Sequence, residues 1–154
     1  MGIYEPWREE RAAEIVAANQ HLDGAALPIF NALQETFGHV PPEAVAMVAH
    51  ALNISRAEAH GIVSFYHDLR VKPPGKRVIK LCRAEACQST GGAAVGEFLL
   101  ASLGIGWGET TPDGAITVDG VYCLGLCAVS PAALVDGEPM GRLDGMSLAE
   151  AARA

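Results

Sequence analysis

Through the first 70 positions, apolar side chains recur three and four residues apart, the period of amphipathic helices. Leu27, Phe30, Leu33 and Phe37 fall on one face of a helix that Asp23 can N-cap and that carries Pro28 in its early turns. Gly38 follows as a C′ glycine. Pro41-Pro42 opens the next helix, with Val45, Val48, Ala49 and Leu52 at helical spacing. Ser55 and Glu58 make a capping box for a fourth, which carries Ile62, Phe65, Tyr66 and Leu69. An earlier helix over about residues 9–19 has a face built mostly of alanines. Residues 1–70 therefore read as a helical bundle.

From Lys72 the grammar changes. Lys72-Pro73-Pro74-Gly75-Lys76 cannot continue a helix and reads as a linker or turn. Residues 77–82 alternate and predict a strand, and a helix over 90–103 follows, capped by Ser89 or Thr90. Asp113-Gly114 turns into a second strand over 115–122, and 132–135 makes a third. Asp136-Gly137 is a hairpin signal leading into 139–142, and Ser147 caps a last short helix. Residues 71–154 thus predict a small two-layer α/β unit, and the chain as a whole is α/β: a helical bundle followed by an α/β domain.

Composition narrows the function. Half of the 154 residues are hydrophobic and 19% are charged, which excludes a disordered or coiled-coil chain. Eighteen acids against eleven bases give a net charge of −7, the wrong sign for a general nucleic-acid binder. The first ten residues have neither a basic n-region nor an apolar h-region, and Pro6 stands where a myristoylation motif needs Ser or Thr. The longest apolar run, 44–52, is interrupted by His50 and is too short to span a bilayer. The expectation is a cytoplasmic protein with no direct membrane insertion, in a compartment where clustered cysteines point to metal or redox chemistry rather than to disulfides.

Cys82 and Cys87 are spaced C-x4-C, Cys123 and Cys127 C-x3-C, with 35 residues between the pairs. Each pair begins where a predicted strand runs out. Two such loops can lie side by side at one end of a sheet and present four thiolates to a common point, as a rhombic iron–sulfur core requires. A four-cysteine zinc site is the main rival, although its pairs are usually spaced C-x2-C. A catalytic dithiol needs C-x-x-C at a helix start, which neither pair has, and pairing at loop edges does not suit four free core cysteines. A Rieske centre needs histidines near its cysteines, whereas His21, His39, His50, His60 and His67 all lie upstream of the linker. Gly125 within the second pair and Gly91-Gly92 after the first allow backbone N–H groups to approach sulfur. The predicted helix near Thr90 points its positive end toward the site. Lys72, Lys76, Arg77, Lys80 and Arg83 crowd the approach to Cys82, where they either offset a cluster's negative charge or form a solvated strand face.

The cysteine layout, with Cys123-Leu124-Gly125-Leu126-Cys127, resembles the thioredoxin-like [2Fe–2S] ferredoxin subunits of NADH-linked complexes. The helical half is similar too, through Leu27-Pro28-Ile29, Gln34-Glu35-Thr36-Phe37-Gly38, Val40-Pro41, Leu52-Asn53-Ile54-Ser55 and Gly61-Ile62-Val63-Ser64-Phe65-Tyr66. The resemblance covers about residues 24–145. It implies a thioredoxin-like domain holding one [2Fe–2S] cluster, with Cys82 and Cys87 on one iron and Cys123 and Cys127 on the other. It also implies a partner flavoprotein subunit carrying FMN and the NADH site, docked in part by the helical half. Phe65-Tyr66-His67-Asp68-Leu69-Arg70 and the short length look most like the gamma subunit of NAD-dependent molybdenum formate dehydrogenase, which adds a molybdenum-containing catalytic subunit as partner. The corresponding subunits of NADH:quinone oxidoreductase and NAD-reducing hydrogenase are the alternative. No Rossmann or P-loop glycine fingerprint is present, so the chain reads as a redox component that is not catalytic alone.

Two readings of other classes remain. Leu52-Asn53-Ile54-Ser55 between two helices resembles a helix-turn-helix, as in redox-sensing DNA-binding proteins. Yet residues 1–70 carry four arginines and no lysine against nine acids, a balance of −5, and Arg56 beside Glu58 offers little to phosphate or guanine. The other is a four-cysteine zinc adaptor.

Overall fold

The structure, a computed structural model, describes residues 4–154; Met1-Gly2-Ile3, part of the decapeptide read for a targeting signal, lie outside the described residues. The chain divides between Pro73 and Pro74 into two compact units. No helix among the described residues is long and apolar enough to cross a membrane.

The first unit holds α1 (Glu9–Asn19), α2 (Ala26–Phe37), α3 (Pro42–Leu52) and α4 (Arg56–Phe65). Its core is formed by Ile29, Phe30, Leu33 and Phe37 of α2, Ala44, Val45, Val48 and Ala49 of α3, Ala59 and Val63 of α4, and Ala12, Ile15 and Val16 of α1. The small residues on α1 leave room for the Trp7 ring, which meets Phe37 edge-on with centroids 4.9 Å apart. Gly38 closes α2 in the left-handed region at φ 77°, donating its N–H to the Gln34 carbonyl. Ser55 and Glu58 form the reciprocal capping box that their spacing predicts.

Two expectations fail in this unit. Asp23 does not cap α2: the N-cap is Ala25 in helical geometry with no side-chain bond, because a turn occupies residues 20–25. Nor do Phe65, Tyr66 and Leu69 continue the buried face of α4. That helix ends at Phe65, and Phe65 and Tyr66 are exposed. The reason lies in α2: the Gln34 side chain donates to the Asp68 carbonyl and accepts the Arg70 N–H, and Val40 N–H donates to the Arg70 carbonyl. Residues 68–70 are thereby drawn out of helical geometry, and Leu69 reaches the core from a turn.

The second unit is a mixed sheet in the order β2 (Glu109–Thr110), β3 (Ile116–Val121), β1 (Arg77–Cys82), β4 (Ala133–Val135), β5 (Glu138–Met140). β1 and β3 run parallel and the other pairs antiparallel. The crossover between β1 and β3 contains α5 (Glu85–Ser89), α6 (Gly92–Leu103) and β2. Ile79 and Leu81 of β1, Val118 of β3 and Ala133 of β4 pack with Val95 and Leu99 of α6 and with Leu148, Ala149 and Ala152 of α7 (Gly145–Arg153) in one apolar core. The result is the α/β architecture expected, with α5 and the two-residue β2 unforeseen.

The capping details differ from expectation. Ser89 and Thr90 do not cap α6; their hydroxyls donate back to the Ala86 carbonyl within α5. α6 starts instead after Gly91, at φ 98°. Ser147 is the third residue of α7, whose N-cap is Asp144; each side chain bonds the other's backbone N–H. The Asp136-Gly137 turn has positive φ at both residues, 51° and 88°, the geometry that closes a two-residue hairpin.

Candidate metal centre

The parallel register decides the geometry. Ile79 pairs with Val118, Leu81 with Gly120 and Cys82 with Val121, so β1 and β3 end level with each other. Cys82 is therefore the last residue of one strand, and Cys123 stands two residues past the end of its neighbour. The ladder runs on one step, with Arg83 N–H donating to the Val121 carbonyl at 2.7 Å. On its other side, Cys82 N–H donates to the Ala132 carbonyl at 3.0 Å. Three chain segments thus meet around Cys82: its own loop, the 122–127 loop, and the segment after the cis Ser130-Pro131 peptide.

The two pairs differ in exposure. Cys82 and Cys87 are buried at 4% and 2%, packed with Ala132 and against Ala84, Leu124 and Leu126. Cys123 and Cys127 are exposed. Cys87 is carried on α5, whose close approach to α6 depends on Gly92: a Cβ there would lie 2.6 Å from the Cys87 carbonyl oxygen. That glycine is a steric necessity, not a matter of flexibility.

Backbone N–H groups converge on the sulfurs. The backbone N–H groups of Ala84, Cys123 and Leu124 favour the Cys82 thiolate, and that of Ala132 favours the Cys87 thiolate. Gly125 N–H donates to the Cys123 sulfur at 3.4 Å. Two consecutive N–H groups aimed at one atom require a turn of unusual hand, and Cys123 supplies it at φ 89°, with Gly125 at φ 75°. A non-glycine residue in that region costs on the order of 1–3 kcal/mol, which the surrounding contacts must offset. Such donors stabilise thiolate, the form that binds metal.

The surroundings shift the thiols in different directions. Burial alone pushes the Cys82 thiol up, but the Ala84 N–H, the Cys87 thiol and the N–H groups of Cys123 and Leu124 outweigh it and hold Cys82 below the ordinary thiol value. Burial, followed by the bond to the Cys82 sulfur, pushes Cys87 up. The bond to Cys123, and then its charge, raise Cys127. Within each pair, Cys82 with Cys87 and Cys123 with Cys127, the partner's sulfur shifts the other thiol, and Cys127 also feels the charge at Cys82.

The donor set fits a two-centre core held two and two. Among the described residues, no three Cys, His, Asp or Glu side chains are gathered as a single-ion site. Four thiols offered as two pairs from two neighbouring loops have the chemistry that two bridged irons require. The five histidines are exposed or half-buried on the helical unit.

The bases expected around the cysteines are arranged differently. Arg77 stands at the start of β1, a strand-length from Cys82; its Nε pairs with Asp136 at 3.0 Å and its Nη1 donates to the Ala151 carbonyl. Lys72 and Lys76 precede it. Lys80 sits beside Asp119 in the ladder. Arg83 alone continues past Cys82, and its guanidinium lies over the Trp107 ring at 4.6 Å and near the Tyr122 ring at 5.8 Å. Neither this stack nor the α5 and Ala132 contacts could be read from spacing, because they join positions that only the folded sheet brings together.

Comparison with known proteins covers the whole arrangement. The sequence model of the thioredoxin-like [2Fe-2S] ferredoxin family matches residues 12–154. NADH-quinone oxidoreductase subunit 2 of Thermus thermophilus is 34% identical over 115 residues, 75% of this chain and 64% of that protein. A subunit of the NADH-quinone oxidoreductase of Rhizobium meliloti is 35% identical over 124 residues, 80% of this chain and 74% of that one. The HndA subunit of the NADP-reducing hydrogenase of Solidesulfovibrio fructosivorans is 31% identical over 121 residues, 79% and 71% of the respective chains. A crystal structure of an NAD+-reducing [NiFe]-hydrogenase in its H2-reduced state superposes on 92% of this chain with a TM-score of 0.62 at 27% identity, using 22% of that chain. The chain thus spans 64% of the length of the Thermus relative and under a quarter of the hydrogenase chain.

Proposed function

Because the chain belongs to the thioredoxin-like [2Fe–2S] ferredoxin family, which carries one [2Fe–2S] cluster, we propose that it is an electron-transfer subunit of a multi-subunit NAD-linked oxidoreductase. In this reading Cys82 and Cys87 ligate one iron and Cys123 and Cys127 the other. The observation that carries it is the level ending of the parallel inner strands β1 and β3, from whose common end both cysteine-bearing loops start. When bound, the cluster supplies a one-electron couple. The chain's own residues do the rest. The four thiols lose their protons, the N–H groups of Ala84, Cys123, Leu124, Gly125 and Ala132 hold the sulfurs in place, and Leu124, Leu126 and Ala132 keep water from the inner pair. The chain is then a redox component that is not catalytic alone.

The partner is a flavoprotein subunit carrying FMN and the NADH site, with residues 1–70 contributing to docking. For the parent complex, the relatives favour the NADH:quinone oxidoreductase or NAD(P)-reducing hydrogenase type. The formate dehydrogenase reading, with a molybdenum-containing subunit, draws on Phe65-Tyr66-His67-Asp68-Leu69-Arg70. A cytoplasmic location goes with either. Anaerobically purified chain should contain two irons and two acid-labile sulfides, and on reduction give one S = 1/2 signal. Serine at any of the four cysteine positions should damage the cluster, while Ser64→Ala, an exposed hydroxyl bonded within its own helix, should not. A colourless zinc protein without sulfide would end the proposal. Co-purification from the native host separates the parent complexes by the subunits that accompany the chain.

A further inference from the structure

Arg83 is where the sequence and the structure most differ in what they say about charge. Five bases precede or follow Cys82 in sequence, yet Arg77 is committed to Asp136 and the Ala151 carbonyl at the far end of its strand. Arg83 is fixed at the cysteine end by three separate features. Its backbone N–H extends the β1–β3 ladder to Val121. Its carbonyl accepts the Gln88 side-chain amide of α5 at 3.2 Å. Its guanidinium carbon lies 4.6 Å from the Trp107 ring centroid and 5.8 Å from that of Tyr122.

The seat for that side chain is built from absent Cβ atoms. A Cβ on Gly120 would lie 2.6 Å from Arg83 Cδ and 3.4 Å from the Trp107 ring. A Cβ on Gly96 of α6 would lie 2.9 Å from the other edge of the same ring. Neither glycine has a positive φ, so conformational freedom does not explain them. They make the slot in which Trp107 lies and over which the guanidinium is laid. Stacking on an aromatic face suits arginine, whose planar, weakly hydrated and permanently charged group keeps its cation while partly desolvated.

The clamp adjoins both cysteine pairs along the chain. Arg83 follows Cys82 directly, and Tyr122 precedes Cys123 directly. One Cα step and the length of the side chain put the guanidinium within about 10 Å of the Cys82 Cα, one Debye length at 0.1 M salt. We propose that the Trp107–Arg83–Tyr122 stack is a positioning device that holds a fixed cation beside the cluster and raises its reduction potential. The inference rests on the cluster assignment above. A fixed positive charge favours the state carrying the extra electron, and a charge held on rings loses less to solvent screening than one on a free surface side chain.

The test is a redox titration of the anaerobically prepared full chain, following the reduced-state paramagnetic signal and the visible absorption. Arg83→Gln should keep two irons and two sulfides and shift the one-electron equilibrium toward the oxidised cluster by about two- to tenfold, tenfold being 59 mV. Arg83→Lys, which keeps the charge but not the planar stack, should fall between Arg83→Gln and the wild type. Gly120→Ala, which fills the seat without removing any charge, should shift the equilibrium in the same direction and alter Trp107 fluorescence. Equal midpoints for the wild type, Arg83→Gln and Gly120→Ala with intact clusters would overturn the proposal. A shift from Arg83→Gln as small at low salt as at 1 M salt would also count against it, because the effect is electrostatic. A wild-type chain that holds no iron and sulfide would remove the cluster assignment itself.

Discussion

Gly92→Ala tests how the fold holds Cys87. The added methyl would sit 2.6 Å from the Cys87 carbonyl oxygen, 3.0 Å from its carbonyl carbon and 3.4 Å from its Cβ. Both near atoms are backbone and cannot swing aside as a side-chain tip could. To reach ordinary contact at about 3.4 Å, α5 and α6 must separate by roughly 0.8 Å, beyond the roughly 0.5 Å within which a functional constellation must be held. Overpacking of this kind costs about 1–3 kcal/mol. The comparison is Gly91→Ala, whose added methyl has nothing within 4 Å but whose φ of 98° strains a side chain. Both variants should lose stability in urea unfolding, Gly91→Ala by about 1–2 kcal/mol. Only Gly92→Ala should lose cluster in proportion, with less than half the wild-type iron and sulfide and a weakened visible band. Full iron and sulfide content in Gly92→Ala would refute the reasoning, since Cys87 would then not depend on the α5–α6 approach.

Other outcomes follow from the same structure. Leu99→Ala empties a fully buried position between α6 and the sheet and should cost about 2–5 kcal/mol in denaturant unfolding. Ser55→Ala removes the capping oxygen of α4 and should lower amide hydrogen-exchange protection across residues 56–65 by about 1 kcal/mol, with cluster content unchanged. The Ser55 hydroxyl and N–H hold Glu58 below the ordinary carboxylate value. Its contribution is therefore present above the unfolded value of about 4.3 and is lost as pH falls through the lower folded value. Glu58→Gln should accordingly make α4 protection less dependent on pH in that acid window, and an unchanged pH profile would refute the coupling.

What was legible in the sequence was what depends on neighbours along the chain. The Ser55–Glu58 box, Gly38 and the Asp136-Gly137 turn all stand as expected, because each is settled within four residues. The strand ending at Cys82 was equally clear from its alternation. Contacts across the fold were not. Gln34 stops α4 by reaching 34 residues ahead to the Asp68 carbonyl, and no local pattern announces that. Ser89 and Thr90 have the chemistry of caps but spend their hydroxyls on Ala86, because α5, with no apolar period of its own, turned out to be a helix. The bases near Cys82 were visible as a cluster, yet strand geometry sends Arg77 to one end of β1 and Arg83 to the other. At the cysteines, the spacing indicates two loops at one end of a sheet; the part played by Ala84 and Ala132 becomes visible only with the fold.

The pairing of β1 with β3 also has a consequence for how the protein is made. Cys82 and Cys123 stand side by side only through a parallel register, and a parallel register needs the whole crossover of α5, α6 and β2 to be in place. The binding edge is thus a product of late, non-local assembly, of the kind that closes slowly. A growing chain that has emerged as far as Cys87 owns two ligands and no site, and metal arriving then finds only a flexible dithiol. Loading therefore belongs after the α/β unit has folded, unlike a zinc finger, where metal and fold arrive together. The four ligands become one site only when β3 has paired with β1, at the far end of that crossover.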